Sequence, residues 1–287
     1  MKIAVTSASG QLGSSIAKRL IAEIGRDNVI GLARTPKKAQ HLGIEIRKGD
    51  YNDRDELDAA LKDIDAVLLV SGMDEPNKRI EQHRNVINAA KINGVKKIVY
   101  TSIIGDEEET AFSPVVKSNR HTETDIKNSG LEWVIGRNGL YIEPDLEYLD
   151  NYVEDGEITN CAGAGKCSYT SREELGYAYT KMLTAAKHNS QIYNLAGEPI
   201  SQKKLAGLIN QVFKTELVYR PVTVQVYASE RKEELGEFMG TIIAGIYEGI
   251  SQGAFNVRTD FEKAAGRTHK PAIDMIRKWK KEHCKDL

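Results

Sequence analysis

A chain of 287 residues, 40% hydrophobic and 28% charged, carries enough apolar material for a sizeable core and is too ordinary in composition for disorder. Its 40 Lys and Arg against 41 Asp and Glu leave a formal charge of −1, so no global field draws it to nucleic acid or to an anionic membrane, and neither is expected as a partner. No apolar run reaches the roughly 18 residues of a membrane span, and Cys161, Cys167 and Cys284 lack zinc-ligand spacing, so a cytoplasmic chain with unpaired thiols and no metal is expected.

Lys2-Ile3-Ala4-Val5-Thr6 predicts a strand, and the spacing from Ile16 to Ile24 predicts a helix. Strands follow at Val29 to Ala33 and Ile44 to Arg47, with a short basic helix between them, and Asp53 caps a helix whose Leu57, Ala60 and Leu61 share a face. The uninterrupted Ala66-Val67-Leu68-Leu69-Val70 fits a central parallel strand covered on both faces. A helix through Val86, Ile87, Ala89 and Ala90 stops at Asn93-Gly94, ahead of the strand Lys97 to Thr101. Ser129-Gly130 ends another helix before Leu131 to Ile135. Six such alternations without hairpin signals define the fold class as α/β, a doubly wound parallel sheet of the Rossmann type.

Beyond Tyr141 the rhythm changes. The acidic stretch Glu143 to Glu157 reads as loop, Arg172 to about Lys187 as helix and Gln191 to Leu195 as one late strand. Ser201 caps a helix, and the remainder looks mainly helical. This divides the chain into a nucleotide-binding core over 1–140 and a mixed region over 141–287. The second part returns late elements to the core and adds a small, mainly helical subdomain on the substrate side. A monomer or homodimer is expected.

Thr6-Ser7-Ala8-Ser9-Gly10-Gln11-Leu12-Gly13 joins the first strand to the first helix. A pyrophosphate binds where a helix N-terminus presents unpaired N–H groups, and glycines serve where a side chain would block close approach; Gly10 and Gly13 meet those needs. After the second strand, where NAD-specific sites place a carboxylate for the ribose hydroxyl, stand Arg34 and then Lys37 and Lys38. A guanidinium can stack on adenine and pair with a 2′-phosphate, so Arg34 and one lysine favour NADPH. Asp50, in Gly49-Asp50-Tyr51, can accept from the adenine amino group or form a turn. Ser71-Gly72 lets the backbone lie against the cofactor.

Taken together, Thr6 to Gly13, Ala33 to Lys38, Gly49-Asp50-Tyr51, Gln82 to Ala90, Tyr100-Thr101-Ser102 and Arg137-Asn138-Gly139-Leu140-Tyr141 resemble the NmrA-like group of atypical short-chain dehydrogenases. Within that group the likeness is to the NADPH-dependent quinone and triphenylmethane reductases, and it extends to Tyr219-Arg220-Pro221-Val222. The resemblance implies that Arg34 and Lys38 take the 2′-phosphate and that Asp50 and Tyr51 take adenine. It also implies that Ser71, Gly72, His83 and Thr101 border the cofactor, beside Thr6, Ser9, Gly10, Gln11, Leu12 and Gly13, and that Asn138 and Tyr141 line the substrate side. Two positions depart from the group: Ser7 stands for a glycine, and Asn119 for a histidine, with Lys117 and His121 as nearby stand-ins.

A Tyr-x-x-x-Lys pair removes a proton from an alcohol because the ammonium lowers the phenol's pKa. Tyr177-Ala178-Tyr179-Thr180-Lys181 has the letters but lies far downstream of Thr101-Ser102, so it reads as coincidence. Hydride transfer to a quinone-like or dye-like aromatic acceptor asks less of the protein: alignment, and a donor for the developing oxyanion. Asn138 is expected to donate to that oxygen, with Tyr141 covering the acceptor and Lys117 nearby. The alternative from another class is an NADP(H)-binding redox sensor without turnover. An epimerase would need an acid-base pair that is not found.

Overall fold

The alternating β-branched runs and amphipathic segments fold as their periodicity predicts, in a computed structural model whose described residues are 1–284. In chain order the first strands are β1 (Ile3–Val5), β2 (Val29–Ala33), β3 (Glu45–Lys48), β4 (Ala66–Val70), β5 (Lys97–Ile103) and β6 (Glu132–Asn138). They are followed by β7 (Leu140–Tyr141), β8 (Glu157–Asn160), β9 (Lys166–Thr170), β10 (Gln191–Leu195), β11 (Pro199–Ser201) and β12 (Val218–Pro221). The helices of the first half are α1 (Gln11–Ile24), α2 (Arg54–Ala60), α3 (Pro76–Ile92) and α4 (Ser113–Lys127). The later ones are α5 (Glu143–Glu147), α6 (Leu149–Asp155), α7 (Arg172–Thr184), α8 (Gln202–Phe213), α9 (Val224–Leu235), α10 (Glu237–Ser251), α11 (Phe261–Ala265) and α12 (Ala272–His283).

Seven strands form one sheet in the order β3-β2-β1-β4-β5-β6-β10, every neighbouring pair parallel. Side chains alternate across it. Val5, Leu68 and Val99 pack with Ile16 and Leu20 of α1 and with Leu175, Ala178 and Met182 of α7. Ala4, Val67, Leu69 and Ile98 pack on the other face with Leu57 of α2, Val86 of α3 and Ile126 of α4. Both faces are covered, which is why the central strands are apolar throughout. The order reverses between β1 and β4, so the crevice at the C-terminal strand ends opens there. The seventh strand and α7 come from beyond residue 141, so the sheet draws on both parts of the sequence.

The acidic stretch differs from its reading as loop. It forms α5 and α6, the first opened by Pro144 in its first turn and the second closed by Gly156 at φ 71°. Leu146 and Leu149 on these helices are buried in a third core with Phe112, Tyr169, Tyr247 and Phe255, and that packing holds helices too short to persist alone. β12 pairs with β8, and β7, β9 and β11 make a small sheet beside the strand ends. The C-terminal segment is tied to the start of α7: Arg267 donates to both oxygens of the buried Glu174 at 2.7 Å, and Lys278 reaches Glu173 at 2.5 Å. No helix among the described residues is long and apolar enough to cross a membrane.

Candidate nucleotide and acceptor site

Every motif singled out in the sequence except those on α3, α4, α7 and β12 falls at the same edge of the sheet. β1 ends at Val5 and the chain turns into α1 through Thr6 to Gly10. Gly10 is the N-cap and offers no side-chain hydrogen bond, and no acidic residue stands in the first turn. Ser9, Gly10 and Gln11 are exposed, with Leu12 partly so, which leaves the N–H groups of the first turn facing the crevice and suited to an anion. Gly13 is required by contact: a Cβ there would lie 2.3 Å from the Ser7 carbonyl oxygen. Ser7 itself sits at φ 49°, in the left-handed region that a glycine would enter without cost. Its hydroxyl donates to Tyr51 Oη at 3.2 Å, which helps hold that backbone.

Thr6 and Tyr51 lie behind this loop. The Val70 N–H donates to Thr6 Oγ1 at 2.9 Å, the Thr6 and Tyr51 hydroxyls meet at 2.5 Å, and Tyr51 donates to the Val70 carbonyl at 2.8 Å. The ring of bonds ties the ends of β1, β3 and β4 together. Burial pushes the Tyr51 phenol up to about 12, so it stays a neutral donor. Asp50 makes a turn, its Oδ1 accepting from the Asn52 N–H at 3.0 Å, and it remains partly exposed at the crevice edge.

Arg34, Lys37 and Lys38 are exposed just past β2, and none of them forms an ion pair among the described residues. Across the crevice Ser71 and Gly72 follow β4. Ser71 N–H donates to Thr101 Oγ1 at 2.9 Å, and Gly72 N–H donates to His83 Nε2 at 3.0 Å. An Nε2 that accepts carries no proton, so the proton is on Nδ1, 2.8 Å from Thr122 Oγ1. Burial, with the Arg79 guanidinium nearby, holds the imidazole down at about 3, and it is neutral at working pH. His83 and Thr101 thus support the loop from beneath.

At the other end of the crevice β6 delivers Asn138 and β7 delivers Tyr141. Asn138 is 3% exposed, and its amide is engaged at both ends: Oδ1 accepts from Tyr179 at 2.7 Å and Nδ2 donates to Tyr141 Oη at 3.0 Å. Tyr141 is partly exposed, and burial lifts its phenol to about 12. Lys117 and His121 stand on the exposed side of α4, and no hydrogen bond or ion pair among the described residues joins either to Asn138 or Tyr141. Asn119 turns inward instead, accepting from Tyr100 at 2.7 Å and donating to Val115 O at 2.8 Å. Tyr177 is stacked between Arg19 and Arg267, and Lys181 pairs with Glu23, so the Tyr-x-x-x-Lys letters are occupied on the α1–α7 surface.

Sequence reasoning passed over three contributors. Gln82 Nε2 bridges Asn52 and Asp74, stapling the loops after β3 and β4. Glu123, 1% exposed, gathers Ser102, Arg120 and Arg137 under the end of β5. Tyr179 reaches Asn138 from α7. For the last, the signal was its place on the apolar stripe Leu175, Ala178, Tyr179, Met182, where a buried phenol needs a partner.

A parallel sheet with its glycine-edged anion seat at the switch point defines a dinucleotide-binding protein, and a family model described as NAD(P)H-binding matches residues 7–184. The chain belongs to that family. It is 32% identical over 258 residues to quinone oxidoreductase 2 of Escherichia coli (strain K12), an alignment covering 88% of each chain. Among solved structures it resembles Citrobacter sp. triphenylmethane reductase complexed with NADP(H), with a TM-score of 0.89 and 31% identity over 97% of this chain and 99% of that one. It also resembles the NADPH-dependent quinone oxidoreductase of Escherichia coli complexed with NADPH, with a TM-score of 0.88 and 29% identity over 96% and 98% of the two chains.

Proposed function

We propose that the chain is an NADPH-dependent reductase that delivers a hydride to a quinone-like or dye-like conjugated acceptor. The observation that carries this reading is the shared edge: an uncapped helix N-terminus, a cationic set without an ion pair among the described residues and a partly exposed tyrosine held by an amide all border one crevice. The relatives named above, reductases of quinones and triphenylmethanes, fit the same arrangement.

In this reading the N–H groups of Ser9, Gln11 and Leu12 take the pyrophosphate, while the Gly10 N–H holds the turn by donating to the Ser7 carbonyl at 2.9 Å and Gly13 keeps the loop close to the helix. Arg34 and Lys38 take the 2′-phosphate. Asp50 and the backbone of Tyr51 border the adenine, and the Ser71-Gly72 backbone, fixed by Thr101 and His83, lies along the dinucleotide. NADPH, when bound, supplies the hydride. Asn138, expected from the sequence to donate to the acceptor, has its amide spent on Tyr179 and Tyr141 and instead holds Tyr141, which faces the acceptor and donates to its oxygen. The partner is a small aromatic molecule. Mixing the protein with NADPH and a panel of quinones and dyes tests the reading through loss of reduced-nicotinamide absorbance. Acceptor-dependent oxidation, faster with NADPH than with NADH, is expected. Tight NADPH binding with no oxidation by any acceptor would make the chain a cofactor sensor instead.

A further inference from the structure

Tyr179 is fully buried beneath β6, where its hydroxyl lies 2.7 Å from Asn138 Oδ1 and 3.0 Å from the Gly136 carbonyl oxygen. The space exists because position 136 is glycine, since a Cβ there would lie 2.4 Å from Tyr179 Oη. Burial raises the Tyr179 phenol well above its ordinary 10, so it remains a donor at any working pH. Of its two acceptors the Asn138 oxygen is the nearer, so the one Tyr179 proton goes there, and an amide whose oxygen is taken in this way presents Nδ2 to Tyr141. Tyr141 then accepts from Asn138, and its own proton is free for a partner in the crevice. With the amide reversed, Asn138 Oδ1 would take that proton and the crevice would lose its donor.

We propose that Tyr179 is a positioning residue for the reduction: acting through the Asn138 amide, it sets the Tyr141 hydroxyl as a hydrogen-bond donor to the acceptor oxygen that becomes an oxyanion. This role rests on the reductase reading above. A quinone takes up a hydride, which is one proton and two electrons, as the nicotinamide is oxidised, and needs a second proton to become the hydroquinone. The oxyanion formed is phenolate-like, the conjugate base of a group that ionises near about 10. Tyr141, lifted to about 12, keeps its proton against such a base, so it stabilises the anion as a donor while water supplies the second proton. A cationic dye takes its hydride at carbon and develops no oxyanion, so its reduction asks nothing of this donor.

The donor can be read without turnover by titrating p-nitrophenolate, a stable oxyanion, into the NADP⁺ complexes of the wild type, Tyr141→Phe, Tyr179→Phe and the double variant. Tyr141→Phe and Tyr179→Phe are each expected to weaken binding about tenfold, the scale of one charge-assisted hydrogen bond, with the double variant no weaker than Tyr141→Phe alone. In turnover, Tyr179→Phe should lower the quinone-to-dye rate ratio by about tenfold through kcat rather than KM. Wild-type affinity in Tyr179→Phe overturns the role, as does multiplication of the two losses in the double variant, an unchanged rate ratio, or failure of the wild type to bind the phenolate. If the wild type binds the phenolate but oxidises NADPH with no acceptor, the reductase reading falls while the titration still decides what Tyr179 does.

Discussion

The Cβ of any residue replacing Gly13 would lie 2.3 Å from the carbonyl oxygen of Ser7, closer than any real contact of that kind. The neighbour is backbone, which cannot swing aside as a flexible side chain would. Gly13→Val must therefore displace the loop that faces the pyrophosphate while leaving the sheet and helices intact. NADPH affinity is expected to fall by about a hundredfold or more, measured by fluorescence titration, with the far-ultraviolet circular dichroism unchanged. Wild-type affinity in a folded Gly13→Val protein would place the phosphate elsewhere.

Arg34 is exposed, has no acidic ion-pair partner among the described residues, and stands where a carboxylate would select NAD. Losing a charge-assisted contact to a 2′-phosphate costs roughly 1.5–3 kcal/mol, so Arg34→Glu should weaken NADPH by about ten- to a hundredfold and NADH far less. Calorimetric titration of both cofactors checks this, and equal losses would remove Arg34 from the 2′-phosphate.

Asp145 is 4% exposed with no cation beside it among the described residues; burial lifts its carboxyl from the ordinary 3.8 to about 6, against the lowering effect of the Tyr152 and Tyr247 hydroxyls at 3.1 and 3.3 Å. The folded chain therefore holds this proton more tightly than the unfolded chain. The resulting stability is present at low pH, is lost as pH rises from about 4 to about 6, and the loss is complete above that. Two pH units correspond to about 3 kcal/mol, so Asp145→Asn should gain on the wild type by about 1–3 kcal/mol between pH 4 and pH 7. Urea unfolding at the two pH values measures it, and a constant difference between the proteins would show that the carboxyl does not titrate in that window.

Much of the fold was legible because its signals are local. The apolar run from Ala66 to Val70, the stop at Asn93-Gly94 and the caps at Asp53 and Ser201 each act within a few residues, and each stands in the structure as read. The acidic stretch was misread as loop because α5 and α6 span too few turns to display a helical period, and their burial depends on α10 and β9 far along the chain. The nucleotide edge was legible for the same local reason, since strand-end motifs need only their strands to be placed. The acceptor side was not. Which way Asn138 faces is set by Tyr179, 41 residues later, and Lys117 and Asn119 were separated only by the turn of α4, one exposed and one buried.

The central claim, hydride transfer from NADPH to a conjugated acceptor, is tested most directly by isotope. With NADPH deuterated on the transferring face of the nicotinamide C4 and a cationic triphenylmethane dye as acceptor, the hydride lands on carbon and cannot exchange with water. One deuterium per molecule of colourless product at the central carbon, with one NADPH oxidised for each dye reduced, is the expected result by mass spectrometry. Product without deuterium from either face of the labelled cofactor, or NADPH left unoxidised while the protein binds it tightly, would contradict the claim.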